Sequence, residues 1–472
     1  MDDNIVYTFV LVFTILIGFP LRSLSTYKWK QVATGGIGFG IVLAICGNDI
    51  FYSLITILGN LLIIKLTSKN TSFISFAWCF LFLLFFRCAT FFNLPKPSPL
   101  ANAVQLLLTL KLVSVAIEIR DYRVKKATSK KSDDNEVQSK FQLELMSEPT
   151  MFEIMCFSYC YAGLFTGPMF KYRTYHDFLL MSPAEMKKVP WRSEIMSRLK
   201  QVALFAPLYL ATAFFFTIDY PKTDEFYDEP HWYRVFYMVP IFFMGRMRFY
   251  TAWLLAECAF VTLTLGAYPK DLSPRPGHGP TIDPASKSRD SSEKIEYGFE
   301  TIRNINPYGC DFTPTVRLGM RNWNMTVQWW LANYVHRRWP NSLKQFKIAG
   351  VMAVSAYWHG IDPGFFGAFL TMIFVMMAED LLKIVVKNRL PASLHSAYDW
   401  VNWFAKMRSF EYMYMAFTLL TRHDTYRYWK SVYFWLHITA FALIGICTLI
   451  RTVLRSPRKS DAPREGKVDK KD

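Results

Sequence analysis

The sequence predicts an all-α fold, a polytopic membrane bundle of about eleven transmembrane helices in which the shorter apolar segments lie re-entrant, interfacial or inside the bundle. Three observations lead there. Of 472 residues, 52% are hydrophobic and 17% aromatic against 19% charged, whereas soluble domains carry about a quarter charged residues. Apolar runs recur along nearly the whole length, which does not suit a few separate globular cores. Basic residues collect in short loops beside those runs, the pattern that orients membrane proteins. A disordered chain and an ordinary soluble enzyme are both excluded.

The first run, Ile5 to Leu24, follows Met1-Asp2-Asp3 and ends among Arg22, Lys28 and Lys30. That charge order is the reverse of a secretory signal peptide, so the run reads as a retained anchor with a lumenal N-terminus. Further runs lie near Ala33 to Cys46, Phe51 to Leu66, Phe73 to Phe92, Val104 to Ile119, Met151 to Phe170, Val202 to Ile218, Val235 to Phe249 and Thr251 to Tyr268. The later ones are Ile348 to His359, Phe365 to Val386, Tyr412 to Leu420 and Val432 to Leu454. Several fall short of the roughly 20 residues that cross a bilayer. Residues 1–454 therefore read as one integral membrane domain, and 455–472, with Arg455, Arg458, Lys459, Arg464, Lys467, Lys470 and Lys471, as a basic, flexible cytosolic tail.

Two polar stretches, Arg120 to Gln142 and Pro269 to Lys294, read as mobile loops without chemistry. Asn70-Thr71-Ser72 fits a glycosylation sequon but is expected on the cytosolic side, unmodified. The formal charge of +17 needs a topological explanation rather than nucleic acid, and a smaller share of it suits a cavity for an anionic substrate. The eight cysteines form no CxxC pair and read as buried small side chains, neither disulfides nor zinc ligands. No metal-ligand spacing is present.

Two segments put polar groups where lipid should be. Over Thr315 to Tyr334, read as a helix, Arg317, Arg321, Asn324 and Gln328 are four, three and four apart, one polar stripe on a body of Trp, Met, Leu and Val. An interfacial helix with snorkelling arginines and belt tryptophans, Trp323 among them, would give this pattern, and so would a cavity wall presenting an amide to a reacting carbonyl. The second segment is Ser355-Ala356-Tyr357-Trp358-His359-Gly360, followed by Pro363-Gly364. Ala349, Ala353, Ala356 and Gly360 are spaced for close helix approach, while Ser355 and His359 share another face. A lone intramembrane His is more often a packing group than a catalyst, but ionisable groups at membrane depth are functional candidates and His exchanges a proton near pH 7, so both readings stand. Elsewhere Arg246 and Arg248 read as interfacial anchors or a phosphate site beside Glu257, Gln105, Lys111 and Glu118 mark an internal or interfacial helix, and His437 reads as structural.

With these residues in view, the sequence resembles the membrane-bound O-acyltransferase family. Trp323-Asn324-Met325-Thr326-Val327-Gln328-Trp329-Trp330-Leu331 is similar to the family's Asn motif, and Ser355 to Gly360 with Pro363-Gly364 to its His motif. The likeness covers nearly the whole chain and is nearest to the lysophosphatidylinositol acyltransferase branch, through Asn102 to Lys111, Thr166 to Tyr175 and Glu300 to Ile305. Phe365 and Phe366 depart from it, since relatives often carry Tyr after the Pro-Gly. The resemblance implies an endoplasmic-reticulum enzyme with an internal reaction chamber. It would move a fatty acyl group, in this branch often arachidonoyl, from acyl-CoA to the sn-2 hydroxyl of lysophosphatidylinositol, with acyl-CoA as co-substrate and no bound cofactor.

The residues suit that chemistry. A neutral His359 can take the acceptor's hydroxyl proton during attack on the thioester and pass it to the departing thiolate. Asn324 can donate an N–H to the carbonyl oxygen. Arg321, Trp323, Gln328, Ser355 and Trp358 are the expected substrate contacts. No Ser or Cys stands beside either residue in a nucleophile motif, so direct transfer in a ternary complex is preferred to an acyl-enzyme. The expected partners are the two substrates and membrane lipids, with no nucleic acid and an oligomeric state left open. Two alternatives stand: another lysophospholipid, sterol or protein acceptor, or a transporter, for which the sequence shows no inverted repeat.

Overall fold

The computed structural model describes residues 3–129, 143–286 and 295–453. It begins with five long helices, α1 (Asp3–Leu21), α2 (Tyr27–Cys46), α3 (Ile50–Leu66), α4 (Thr71–Arg87) and α5 (Pro99–Ser129). Three short ones follow, α6 (Met151–Ser158), α7 (Tyr172–Leu180) and α8 (Pro183–Lys188), before α9 (Trp191–Phe215), the single turn α10 (Glu225–Asp228) and α11 (His231–Leu263). Past a two-stranded ribbon, β1 (Tyr268–Pro269) against β2 (Tyr297–Gly298) in antiparallel register, come α12 (Pro307–Phe312), α13 (Val316–Arg321) and α14 (Met325–Trp330). The chain then runs through α15 (Lys347–His359), α16 (Pro363–Val385), α17 (His395–Leu419), α18 (Arg422–Ser431) and α19 (Trp435–Val453).

Among the described residues, five stretches are long and apolar enough to cross a membrane by length and composition: Asn4–Leu21, Tyr27–Leu66, Pro99–Thr128, Trp191–Lys222 and Trp435–Val453. Their surroundings differ sharply. The window in α5 is 83% buried, whereas none of the window in Trp191–Lys222 is. A helix apolar all round belongs inside protein or against lipid, so α5 is the central post and α9 an outer wall. The post carries the polar residues noted in its sequence: Gln105 donates to Thr56 at 2.7 Å, Lys111 donates to the carbonyls of Phe157 and Ser158 at 3.2 and 3.4 Å, and Glu118 accepts from Tyr334. Each of these three side chains thus has at least one polar partner on another element, although Gln105 Oε1 and Glu118 Oε2 have none among the described residues.

Several expected segments are redrawn. The run Val235 to Phe249 and the next one as far as Leu263 form one 33-residue helix, α11, in which the buried charges are met by protein: Arg246 pairs with Asp311, and Glu257 with Arg198 at 2.8 Å. Arg246 is thus no interfacial anchor, although Arg248 is exposed. The run Met151 to Phe170 is helical only to Ser158. Its buried, irregular remainder is tolerated because protein rather than lipid surrounds it. Arg120 to Ser129 continues α5 instead of opening a loop, and the rest of that stretch lies outside the described residues.

The expected loop Pro269 to Lys294 is a packed structure as far as Ser286. Gly277, at φ +70°, lays its backbone on Trp329, where an added Cβ would come within 3.0 Å of the ring. Positive φ and close approach both call for glycine. The segment 287–294 and the expected tail 455–472, described only as far as Val453, lie outside the described residues. The small-residue face of α15 is only partly used: Ala356 and Gly360 are buried, but Ala353 is exposed because the first half of the helix lies at the edge. All eight cysteines are unpaired, seven buried and Cys88 half-buried. His437 is held by Tyr412 and Thr371, both at 2.9 Å.

Candidate active site

Three apolar cores meet around one partly open cavity of about 150 Å³. The core around α5 supplies Val327, the core around α16 and α17 supplies Met372, Met413 and Phe417, and the third supplies Trp253, Cys310 and Trp323. The wall is largely aromatic, aliphatic and thioether, the lining an acyl chain would find compatible. Asn324, Gln328, Ser355, His359 and Arg246 interrupt it with polar groups.

The expected continuous helix over Thr315 to Tyr334 is broken, and the break places the asparagine. α13 ends at Arg321, a turn covers 322–324, α14 starts at Met325, and a π-helical turn occupies Leu331–His336. Asn324 takes the left-handed conformation at φ 45°, ψ 51°, which asparagine tolerates better than most non-glycine residues. The turn is clamped from both sides. Gln328 donates its amide N–H to the carbonyls of Trp323, at 2.6 Å, and Met320. Met325 N–H donates to Asn304 O at 2.8 Å, and the Thr326 hydroxyl donates to Asn304 Oδ1 at 2.6 Å. Asn304 N–H in turn donates to Glu257, which holds Arg198. A buried chain of polar bonds thereby fixes the backbone beside Asn324 while its own side chain has no hydrogen-bond partner among the described residues.

With the helix broken, the stripe dissolves. Arg317 pairs with Asp380 at 2.7 Å and Arg321 is exposed, so neither shares the cavity with Asn324. Trp323 forms a wall, edge-on to Trp253 with centroids 4.9 Å apart. Gln328 reaches the cavity with its N–H groups already committed to the turn.

His359 ends α15 and is half-buried. Its ring lies among Trp358, Phe417, Phe369 and Phe365 at centroid distances of 4.8, 5.1, 5.4 and 6.1 Å. Neither ring nitrogen has a hydrogen-bond partner among the described residues. Ser355, one turn earlier, shares the cavity face as its spacing predicts. Trp358 does not line the cavity; its indole N–H donates to Leu106 O at 3.1 Å and anchors the helix. The packing thus brings together Asn324, His359, Trp323, Gln328 and Ser355 and leaves out Arg321 and Trp358. Glu257 and Arg246 were legible only as isolated polar residues and Asn304 not at all as part of the site, since nothing in their spacing ties them to Asn324. No group of three or more His, Cys, Asp and Glu side chains able to hold a metal occurs among the described residues.

One apolar cavity is thus faced by the amide of Asn324 and the imidazole of His359, neither hydrogen-bonded among the described residues. Residues 60–408 match the membrane-bound O-acyltransferase family, and the chain belongs to that family. Its relatives are similar end to end. It is 42% identical to a membrane-bound acylglycerophosphatidylinositol O-acyltransferase of Xenopus laevis, over 99% of this chain and 98% of the relative. The human protein of the same description is 41% identical over 93% and 92%. One from Drosophila melanogaster is 29% identical over 91% and 89%.

Proposed function

We propose that this chain transfers a fatty acyl group from acyl-CoA to the sn-2 hydroxyl of lysophosphatidylinositol, with arachidonoyl as the preferred group, in the endoplasmic-reticulum membrane during phospholipid remodelling. The observation that carries this reading is the meeting of Asn324 and His359, from separate elements, on one apolar cavity with both side chains unengaged. The names of the relatives supply the acceptor class.

In the proposed reaction the thioester lies along the cavity with its carbonyl oxygen toward the Asn324 amide, which donates to the charge that grows there. The neutral imidazole of His359 takes the proton of the attacking hydroxyl as its oxygen bonds to the carbonyl carbon. The carbon–sulfur bond then breaks, and the imidazolium returns that proton to the coenzyme A thiolate. Water is kept from the thioester by Trp253, Trp323 and the methionines, so hydrolysis does not compete. Cys310, the one cysteine on the wall, is not needed as a nucleophile, which keeps the transfer direct.

The test is an assay in membranes expressing the chain, crossing lysophosphatidylinositol, lysophosphatidylcholine and lysophosphatidylserine with arachidonoyl-CoA and oleoyl-CoA, with His359→Ala as the blank. The expected product is arachidonoyl-phosphatidylinositol above all others. Equal transfer to every acceptor would remove the headgroup assignment, and equal use of both donors the acyl assignment.

A further inference from the structure

Arg87 closes α4, 272 residues before His359, and its guanidinium reaches the end of the helix that carries the histidine. One terminal nitrogen donates to Tyr357 O at 2.5 Å; the other donates to Trp358 O at 2.5 Å and to His359 O at 3.1 Å. The last four carbonyls of a helix have no partner within it. In α15 the Gly360 N–H answers Ala356 O at 3.0 Å, and Arg87 answers the other three. A cation there also suits the negative end of the helix dipole. Two more ties hold the same turn: the Tyr357 hydroxyl donates to Phe80 O on α4 at 2.9 Å, and the Trp358 indole to Leu106 O on α5.

The imidazole itself has no such anchor. In many catalytic sites a carboxylate on the second ring nitrogen fixes the base; among the described residues none does so for His359. Aromatic rings confine its plane, and the main chain sets its depth. We propose that Arg87 is a positioning residue of the acyl transfer, its fork-shaped grip on three consecutive carbonyls fixing how far and in which direction His359 projects into the cavity. This rests on the reading of His359 as the base.

Arg87→Met, Arg87→Lys and His359→Ala would be made in the full-length chain and assayed in membranes for kcat and for the KM of acyl-CoA. The amount of folded protein is set by size-exclusion profile in detergent. A displaced reacting group costs on the order of 10²-fold in rate, so Arg87→Met should lower kcat by roughly that factor at near-constant KM. Arg87→Lys keeps the charge but not the fork and should recover roughly 10-fold of the loss. A wild-type kcat in Arg87→Met, a change confined to KM, or a loss that merely follows the amount of folded protein would overturn the proposal. Should Arg87→Met fail to accumulate, an unchanged kcat in Arg87→Lys would overturn it alone. The two readings separate cleanly: activity in His359→Ala removes the base and this proposal together, whereas an inactive His359→Ala beside a fully active Arg87→Met removes only the role of Arg87.

Discussion

At Asn324 the backbone conformation and the side chain are turned to one purpose. The left-handed backbone costs something in any residue with a Cβ, and here it ends one short helix and starts the next so that the amide faces the chamber rather than a neighbouring carbonyl. Loss of one oxyanion-type donor costs roughly 10²- to 10³-fold in kcat. Asn324→Ala is therefore expected to fall by about that much with little change in the KM of acyl-CoA, and a loss confined to KM would exclude the donor role. Asn322, two residues away, behaves differently, because its amide donates to Leu318 O at 2.8 Å while its carbonyl oxygen accepts from Asn306 at 3.0 Å. Asn322→Ala should reduce folded protein and leave kcat per folded molecule nearly intact. For His359→Ala the expected loss is on the order of 10²- to 10⁴-fold, the usual contribution of a general acid–base, with folded protein recovered in normal amount.

The elements around the site show why part of it could be read from sequence and part could not. Ser355 and His359 sit on one helix four residues apart, so their shared face followed from helical period alone. The Asn segment was also periodic, but Asn304 and Gln328 capture its turn from outside and inside the segment, and a one-dimensional pattern holds no trace of the first of them. Arg87 was equally hidden, since the carbonyls it serves become neighbours only after α4 packs beside α15. The two runs read apart from each other at Tyr250 join in α11, and the partners of its buried charges, Asp311 and Arg198, lie on other elements. The Pro-Gly after the histidine has a physical cause as well. Gly364 donates its N–H to Leu420 O at 2.8 Å, and a Cβ there would lie 2.2 Å from Ala416 O. α16 is thereby seated on the end of α17, which carries Phe417 to the face of His359. Overpacking typically costs about 1–3 kcal/mol, and main chain on the opposing side leaves little room to yield. Gly364→Ala should therefore lower the midpoint of thermal unfolding in detergent and reduce activity with it; an unchanged midpoint would show that the two helices can separate freely.

On the scale of the molecule, lipid and protein divide the apolar helices between them. α5 is sheathed by protein while α1, α9 and α19 turn most of their apolar surface outward, so the chamber lies behind an outer wall of helices and not in it. Eleven of the described helices have thirteen or more residues, α1 to α5, α9, α11, α15 to α17 and α19, while five described stretches are long and apolar enough to cross a membrane by length and composition; two expected spans merge in α11, and Met151 to Phe170 is not one long helix. If all eleven cross, the two ends of the chain face opposite sides, and basic residues set which is which. From the acidic start and the basic cluster after Leu454, Arg455 to Lys471, we propose that the N-terminus is lumenal and the C-terminus cytosolic. This predicts that protease added to sealed microsomes removes an epitope placed after Asp472 and spares one placed before Met1, until detergent opens the vesicles and both are lost. Protection of both ends, or cleavage of both, would mean an even number of crossings, with one of the short helices around the chamber, α15 foremost, entering and leaving on the same side.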